Sequence, residues 1–291
     1  MPLSLALDVG GTKLAAGVVD GSGRVLASHR RPTPPGADGE ELFDEVVELL
    51  RQAAASASGD LAVLGVGCGG PMTPGGEEVS PINIAGWRDF PLRRRLADAT
   101  GLPVFIDNDA KALARAEGWV GAAAGETDYI SMVVSTGVGG GIFCDGRLLD
   151  GATGNAGHIG HVNVEPDGHR CGCGSFGCLE AEASGTAIRA ITGVPAEEAE
   201  QVRPGTVERT GRMVGRAVAS VCALLDLRLA AVGGSVALGY GERFFAAARA
   251  ELDRLCRISF ARGARIVPSA LGPDGGLIGA AAVGLRALDG R

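Results

Sequence analysis

The sequence predicts a layered α/β fold built from two halves that repeat one plan. Apolar strand-like segments alternate with amphipathic helical segments, which is typical of sheets covered by helices. Glycine reaches 48 of 291 residues while aromatic residues make up 4%, so many tight turns join strands packed through small side chains. A strand followed by a glycine turn and a two-strand meander occurs twice, and this repetition predicts two related domains.

The first copy of the repeat begins at the N-terminus. We expect strands at residues 3–8, 14–19 and 25–31, joined by turns at glycines. The second copy begins at residue 129, with a strand to 135, a turn at 136–141, a strand from 142, a turn at 145–146 and a strand from 147.

The remaining segments alternate between helix and strand, and we expect the strands to be mostly parallel. Helices are expected at 39–57, from 110, at 206–225, at 242–255 and from 277, and strands at 61–67, 104–107, 229–232 and 265–268. The expected domains are a small α/β domain at 1–115 and a larger one at 116–278 that carries the cysteine cluster, with helix 279–291 packing on the first.

Composition excludes several classes of protein. The net charge is -7 and the pI is about 5.2, with no basic stripe that would follow a nucleic-acid backbone, so nucleic acid is not an expected partner. The sequence shows no secretion signal and no apolar run long enough to cross a bilayer, so we expect a cytoplasmic protein without a membrane partner.

A glycine-rich turn directly after the first strand predicts a nucleotide phosphate site. An acidic residue at a strand end can position Mg²⁺, glycine N–H groups can approach phosphate, and a hydroxyl and an ammonium add donors. The alternative is an ordinary hairpin turn. The residues in question are Asp8, Gly10, Gly11, Thr12 and Lys13.

The second copy of the repeat carries a matching turn, which favours the phosphate interpretation. Thr136 and Gly137 follow an apolar strand, as Gly10 and Gly11 do in the first copy. A purely structural turn gives no reason for this repetition. Two such loops facing one another would hold one polyphosphate between them.

Three cysteines within eight residues predict a metal site. Cys171, Cys173 and Cys178 supply three thiolates, and one imidazole would complete the closed tetrahedral set expected for structural zinc. His161 lies ten residues earlier, while His158 and His169 are the other candidates for the fourth ligand.

These motifs together resemble the ROK family of sugar kinases and regulators, over nearly the whole chain. The resemblance implies the actin and hexokinase superfamily: two ribonuclease-H-like (actin-like ATPase) domains whose cleft closes over ATP and a sugar. The matching segments are 8–13, 69–71, 83–87, 108–110, 136–141, 160–161, 171–180, 233–234 and 276–280.

The resemblance assigns roles to individual residues. Asp109 is the implied catalytic base, accepting the proton of the attacking sugar hydroxyl; the alternative is that residues 107–109 only cap the following helix. It favours His161 as the fourth zinc ligand, in a site that fixes the sugar pocket, and it implies a homo-oligomer. Implied sugar contacts are Gly70, Asn83, Asn108, Asp109, His158, His161 and Glu180, and Gly233 and Gly234 are implied to lie near the adenosine.

Two residues depart from the family pattern. Lys111 stands where members usually have Asn, which could change the hydrogen bonds around the base. His158 stands where kinases usually have Glu, and an imidazole has one donor and one acceptor where a carboxylate only accepts. Either His158 alters recognition of one end of the sugar or it has no ligand role.

The predicted function is therefore an ATP- and Mg²⁺-dependent kinase for the 6-hydroxyl of a hexose, with glucose favoured. The alternatives are N-acetylmannosamine, N-acetylglucosamine or fructose as the sugar, or a non-catalytic sugar-binding protein. Because only seven residues precede Asp8, we do not expect the DNA-binding module of family regulators.

Overall fold

The structure is a computed structural model that describes residues 2–34, 36, 38–288 and 290. The chain forms two compact units. Unit 1 comprises residues 1–121, 150–156 and 271–291, and unit 2 comprises residues 122–149 and 157–270. The segment 150–156 therefore belongs to unit 1, although unit 2 surrounds it in sequence.

Unit 1 contains a mixed five-stranded sheet with the order β3-β2-β1-β4-β5. β1, β2 and β3 form an antiparallel meander, and β4 and β5 continue the sheet in parallel with β1. Its strands are β1 (Leu3–Val9), β2 (Lys13–Asp20), β3 (Val25–Pro32), β4 (Leu61–Cys68) and β5 (Val104–Asn108).

The helices of unit 1 cover this sheet. Asp38 caps the first helix by accepting hydrogen bonds from the N–H groups of Glu40 and Glu41. The last helix of the chain is buried along most of its length and packs on β1, β4 and the third helix. These helices are α1 (Gly39–Ala55), α2 (Leu92–Thr100), α3 (Asp109–Val120) and α9 (Gly275–Leu288).

Unit 2 contains a second five-stranded sheet, with the order β10-β9-β6-β7-β8. Its strands are β6 (Tyr129–Val134), β7 (Val138–Cys144), β8 (Arg147–Leu148), β9 (Leu229–Gly233) and β10 (Arg265–Pro268). Its helices are α4 (Leu179–Ala183), α5 (Gly185–Thr192), α6 (Ala196–Val202), α7 (Thr206–Leu225) and α8 (Ser235–Leu255). α7 and α8 pack closely on one another.

The two sheets have the same topology, which confirms the predicted repeat. In each, three antiparallel strands are followed by two strands parallel to the first. The antiparallel pairs are the predicted meanders, in which neighbouring strands need only a tight turn between them. The remaining strands, β4, β5, β9 and β10, pair in parallel as expected.

Several helices differ from their predicted bounds. α2 and the short helices α4, α5 and α6 were not predicted. α2 has only two buried residues, Leu92 and Leu96, so its apolar pattern is too sparse to stand out. α8 begins seven residues before the predicted start, because the glycine-containing segment around Gly241 continues the helix across a kink. Among the described residues, no helix is both long and apolar enough to cross a membrane.

Candidate active site

The carboxyl ends of three parallel strands in unit 1 bring two acidic residues together. In the register of β1, β4 and β5, Asp8 pairs with Gly67, and Gly67 pairs with Asp107. Asp109 follows β5 directly. A methyl group placed on Gly67 would lie 3.6 Å from Asp109 Cα and 3.9 Å from Asp8 Oδ1, so the two aspartates flank this glycine at one sheet edge.

The electrostatic environment of Asp8 is unfavourable to its charged form. Burial, and then the negative charge of Asp109, raise the pKa of Asp8 to about 6, while the nearby charges of Lys13 and Arg30 oppose that rise. A divalent cation bound at this edge would stabilise both carboxylates.

Asp109 is the first residue of α3, and it is exposed to solvent. Its Oδ1 accepts a hydrogen bond from the N–H of Ala110 at 2.8 Å. Asn108 caps the helix, since its Oδ1 accepts from the N–H groups of Ala110 and Lys111 at 3.1 and 3.4 Å. Asn108 therefore caps the helix, as the alternative interpretation of residues 107–109 predicted. This cap is compatible with a chemical role for Asp109.

The turn between β1 and β2 is held closed by its own backbone. Gly10 N–H donates to the carbonyl of Lys13 at 3.0 Å, and Thr33 Oγ1 donates to the carbonyl of Gly10 at 2.7 Å. Gly11, Thr12 and Lys13 are exposed. The predicted phosphate-binding groups therefore lie on a turn whose backbone is held by hydrogen bonds.

Two predicted sugar-contact residues lie beside glycines of unit 1. A Cβ on Gly11 would lie 2.5 Å from Asn83 Cβ, so the loop that carries Asn83 packs directly on the glycine turn between β1 and β2. A Cβ on Gly70 would lie 3.4 Å from Asn108 Nδ2. Arg88 orders the Asn83 loop, because its Nη1 donates to three carbonyls of residues 81–87, at 2.6–3.0 Å.

In unit 2, the second glycine loop is shorter than predicted. Only residues 135–137 form the turn, where Ser135 N–H donates to the carbonyl of Gly137 at 2.9 Å. Residues 139–141 belong to β7 and pair with β6. The close approach of Gly157 explains glycine at 140, since a Cβ there would lie 3.2 Å from the Gly157 carbonyl.

The Gly233 and Gly234 pair lies at the end of β9, beside the end of β6. Gly234 has a φ of 96°, and a Cβ on it would lie 2.3 Å from the carbonyl oxygen of Val134. Glycine is therefore required here. α8 starts at the next residue, Ser235, whose Oγ lies 3.0 Å from Ser135 Oγ, so the turn after β6 and the turn after β9 adjoin one another.

Glu180, on the first turn of α4, contacts the second glycine turn, at residues 135–137. Its Oε2 accepts a hydrogen bond from Val138 N–H at 2.9 Å. A Cβ on Gly137 would lie 2.9 Å from the same oxygen. The predicted sugar-contact residue Glu180 and the predicted nucleotide residue Gly137 are therefore neighbours.

The four predicted zinc ligands come together. Their ligand atoms all lie within 4.8 Å of one another, with His161 Nδ1 3.7 Å from Cys171 Sγ and Cys173 Sγ 3.8 Å from Cys178 Sγ. Zinc–sulfur bonds of about 2.3 Å in a tetrahedron place ligands at about this spacing. Burial raises the pKa of Cys178 to about 12, and a bound cation would favour its thiolate. The donor set fits zinc.

Of the other candidates for the fourth ligand, His169 has a different partner. Its backbone N–H donates to Glu182 Oε1 at 2.5 Å, and its Nδ1 lies 3.0 Å from Glu182 Oε2. Glu182 is fully buried and is also paired with Arg209. The His158 ring lies 6.3 Å from the His161 ring. Sequence reasoning missed Glu182, because an acidic residue on a short helix gives no signal of burial.

The comparison with known proteins decides the family. The sequence matches the ROK family over residues 4–286, which is nearly its whole length. The chain belongs to the ROK family. An N-acetylmannosamine kinase of Escherichia fergusonii is 37% identical to this ROK protein over 255 residues, covering 82% of this chain and 84% of that protein.

Solved ROK structures share the fold. The ROK hexokinase of Thermus thermophilus superposes with a TM-score of 0.85 at 36% identity, covering 99% of this chain and 100% of that one. A ROK glucokinase of Streptomyces griseus in complex with glucose and AMPPNP gives a TM-score of 0.82 at 32% identity, covering 98% and 99%. The two repeated units of this ROK protein thus have the actin-like ATPase fold that was predicted.

Proposed function

We propose that this ROK protein is an ATP-dependent sugar kinase that phosphorylates the 6-hydroxyl of N-acetylmannosamine. The observation that carries the proposal is the pair of aspartates at one sheet edge of unit 1: exposed Asp109 at the start of α3, and Asp8 beside a glycine turn. Phosphoryl transfer to a hydroxyl needs a carboxylate at the nucleophile and a second acidic group near the metal-bound phosphates. The kinase names of the relatives support the same reaction class.

Each residue has a proposed part in the reaction. Asp109 accepts the proton of the sugar hydroxyl as it attacks the γ-phosphorus. Asn108, already fixed as the helix cap, and Asn83 hold neighbouring hydroxyls. Asp8 would help to hold Mg²⁺, which would supply charge neutralisation on the phosphates. The turns at residues 10–13 and 136–137 donate to the phosphates, and Gly233 and Gly234 lie near the adenosine.

A zinc ion held by His161, Cys171, Cys173 and Cys178 has a structural part in the proposal. All four positions are protein ligands, so the set is closed. Cys178 immediately precedes α4, whose first turn carries Glu180, and His161 is itself a proposed sugar contact. The site would therefore fix the position of sugar-binding side chains.

The choice of sugar follows two observations. The curated relative described above is an N-acetylmannosamine kinase, and further relatives at 36–39% identity carry the same name. His158 also gives this chain an imidazole where a carboxylate is usual, so one end of the sugar meets a different hydrogen-bonding group. Glucose, which the sequence favoured, remains the second candidate because the Streptomyces griseus neighbour holds glucose.

The test is a coupled ADP-release assay with Mg·ATP and a panel of sugars: N-acetylmannosamine, glucose, N-acetylglucosamine and fructose. We expect the highest kcat/KM for N-acetylmannosamine. A preference for glucose would contradict the sugar but not the reaction. No sugar-stimulated ADP release at any concentration would favour a non-catalytic sugar-binding protein. Gel filtration with light scattering tests the predicted homo-oligomer separately.

A further inference from the structure

Lys111 is a buried lysine whose ammonium group is fully satisfied. Its side chain is 4% exposed. The Nζ lies 2.5 Å from Asp150 Oδ1, 3.2 Å from the carbonyl oxygen of Gly154 and 3.3 Å from Asp107 Oδ1. An ammonium has three donors, and here three acceptors surround it, which is the condition for keeping a charge out of water.

Two of these acceptors lie in the segment 150–156, which is a closed loop. Ala156 N–H donates to the carbonyl of Asp150 at 3.0 Å, which joins the two ends of the loop. Asn155 Nδ2 donates to the carbonyl of Thr153 at 3.0 Å within it. Lys111 contacts this loop at its first residue and at Gly154, so one cation holds the loop at two points.

The third acceptor and the backbone of Lys111 connect the loop to the proposed catalytic residues. Lys111 N–H donates to Asn108 Oδ1, in the cap of the helix that Asp109 begins. Asp107 precedes Asn108 and is shared with Arg115, whose Nε lies 3.6 Å from Asp107 Oδ2. At its other end the loop runs directly into Gly157 and His158 in the sequence.

We propose that Lys111 is a positioning residue that fastens the 150–156 loop to the start of α3, and thereby sets sugar affinity. The inference rests on the proposed sugar-kinase function and adds a determinant of sugar recognition to it. If the loop is loosened, the segment that leads to His158 becomes more mobile. Sugar binding must then order this segment, and the entropy lost in ordering it lowers the affinity for the sugar. The affinity for ATP and the rate of proton transfer at Asp109 do not change.

The sharpest variant is Asp150→Asn. The Asp150 side chain is 67% exposed, so the substitution removes the charge of the partner without opening the core. We expect the KM for the sugar to rise about three- to tenfold, with kcat and the KM for ATP unchanged. Asp98→Asn, at an exposed ion pair on α2, is the matched control and should change none of these values.

Hydrogen exchange gives a readout that does not depend on activity. In Asp150→Asn and in Lys111→Met we expect faster exchange in a peptide covering 150–156, with the α1 peptide unchanged. The two substitutions combined should raise the sugar KM no more than the larger single effect, because Lys111→Met already removes the contact that Asp150→Asn weakens.

Each outcome decides the proposal. The proposal is overturned if hydrogen exchange is unchanged in both single variants, or if the sugar KM is unchanged in Asp150→Asn. It is also overturned if kcat and the KM for ATP change as much as the sugar KM does. If the wild type shows no kinase activity, the proposed function fails, and calorimetric sugar affinity of the same variants then takes the place of KM. If the wild type binds no sugar, both proposals fail. If the wild type is active and the variants behave like it, only the Lys111 inference fails.

Discussion

Asp8 and Asp109 lie on either side of Gly67, close enough for the charge of Asp109 to raise the pKa of Asp8. Two carboxylates placed together without a cation oppose one another. This arrangement lowers the stability of the free protein, and the binding of a cation and its ligand offsets that loss. Such an arrangement is therefore typical of a catalytic site.

Asp109→Asn should reduce kcat by about 10²–10⁴-fold, because the amide cannot accept the hydroxyl proton. The fold should be retained, since Asn108 supplies the helix cap and Asp109 is exposed. The assay is ADP release at saturating sugar and ATP, with circular dichroism as the check on folding. A variant that keeps near-wild-type kcat would remove Asp109 from its proposed role.

Asp8→Asn should abolish activity and stabilise the free protein at neutral pH. The folded pKa of about 6 is higher than the ordinary value of 3.8, so the folded state binds the proton more tightly, and the stability of the wild type falls as pH rises from about 4 to about 7. The variant does not undergo this loss of stability, which is on the order of 3 kcal/mol for a pKa difference of about 2.2. Thermal unfolding without divalent cations should show a higher Tm for the variant at pH 7.5, and the difference should narrow at pH 5. A variant with a lower Tm at pH 7.5 would contradict the burial of this charge.

Removal of zinc should weaken sugar binding more than nucleotide binding. Elemental analysis of the purified protein should find about one zinc per chain. Cys171→Ser should lower that ratio and raise the KM for the sugar. Cys144→Ser, outside the four-residue cluster, is the matched control. Zinc absent from fresh wild-type protein, or a Cys171→Ser variant with unchanged sugar KM, would speak against the proposed site.

Gly11→Ala should impair both substrates. Its Cβ would lie 2.5 Å from Asn83 Cβ, so either the glycine turn between β1 and β2 or the Asn83 loop must move. We therefore expect the KM values for ATP and sugar to rise together, by about tenfold or more. Gly59→Ala is the control, because its Cβ would make only an ordinary 3.5 Å contact with Leu3. If the two variants had equal KM values, the Asn83 loop would have moved without loss of substrate affinity, and the prediction would be wrong.

The strands, the repeat and the glycine turns could be predicted from local pattern. The ends of β1 and β5 were predicted at Asp8 and Asp107, one residue before the observed ends at Val9 and Asn108, because the apolar runs stop there at polar residues. The proposed metal ligands were recognisable because three of them are close in sequence. α2 and the helices between residues 179 and 202 were not predicted, since they are short and each has at most three buried residues.

Residue identity and order were sufficient to predict the family, the repeated α/β plan and the candidates for chemistry, because strand periodicity, turn glycines and ligand clusters are local properties. The partners of Lys111, Glu180 and Glu182 could be found only in the folded chain. Each contacts a segment 13–43 residues away, and a charged residue has the same appearance in a sequence whether it faces water or a buried partner. Burial and pairing of charge depend on which distant segments the packing of the core brings together.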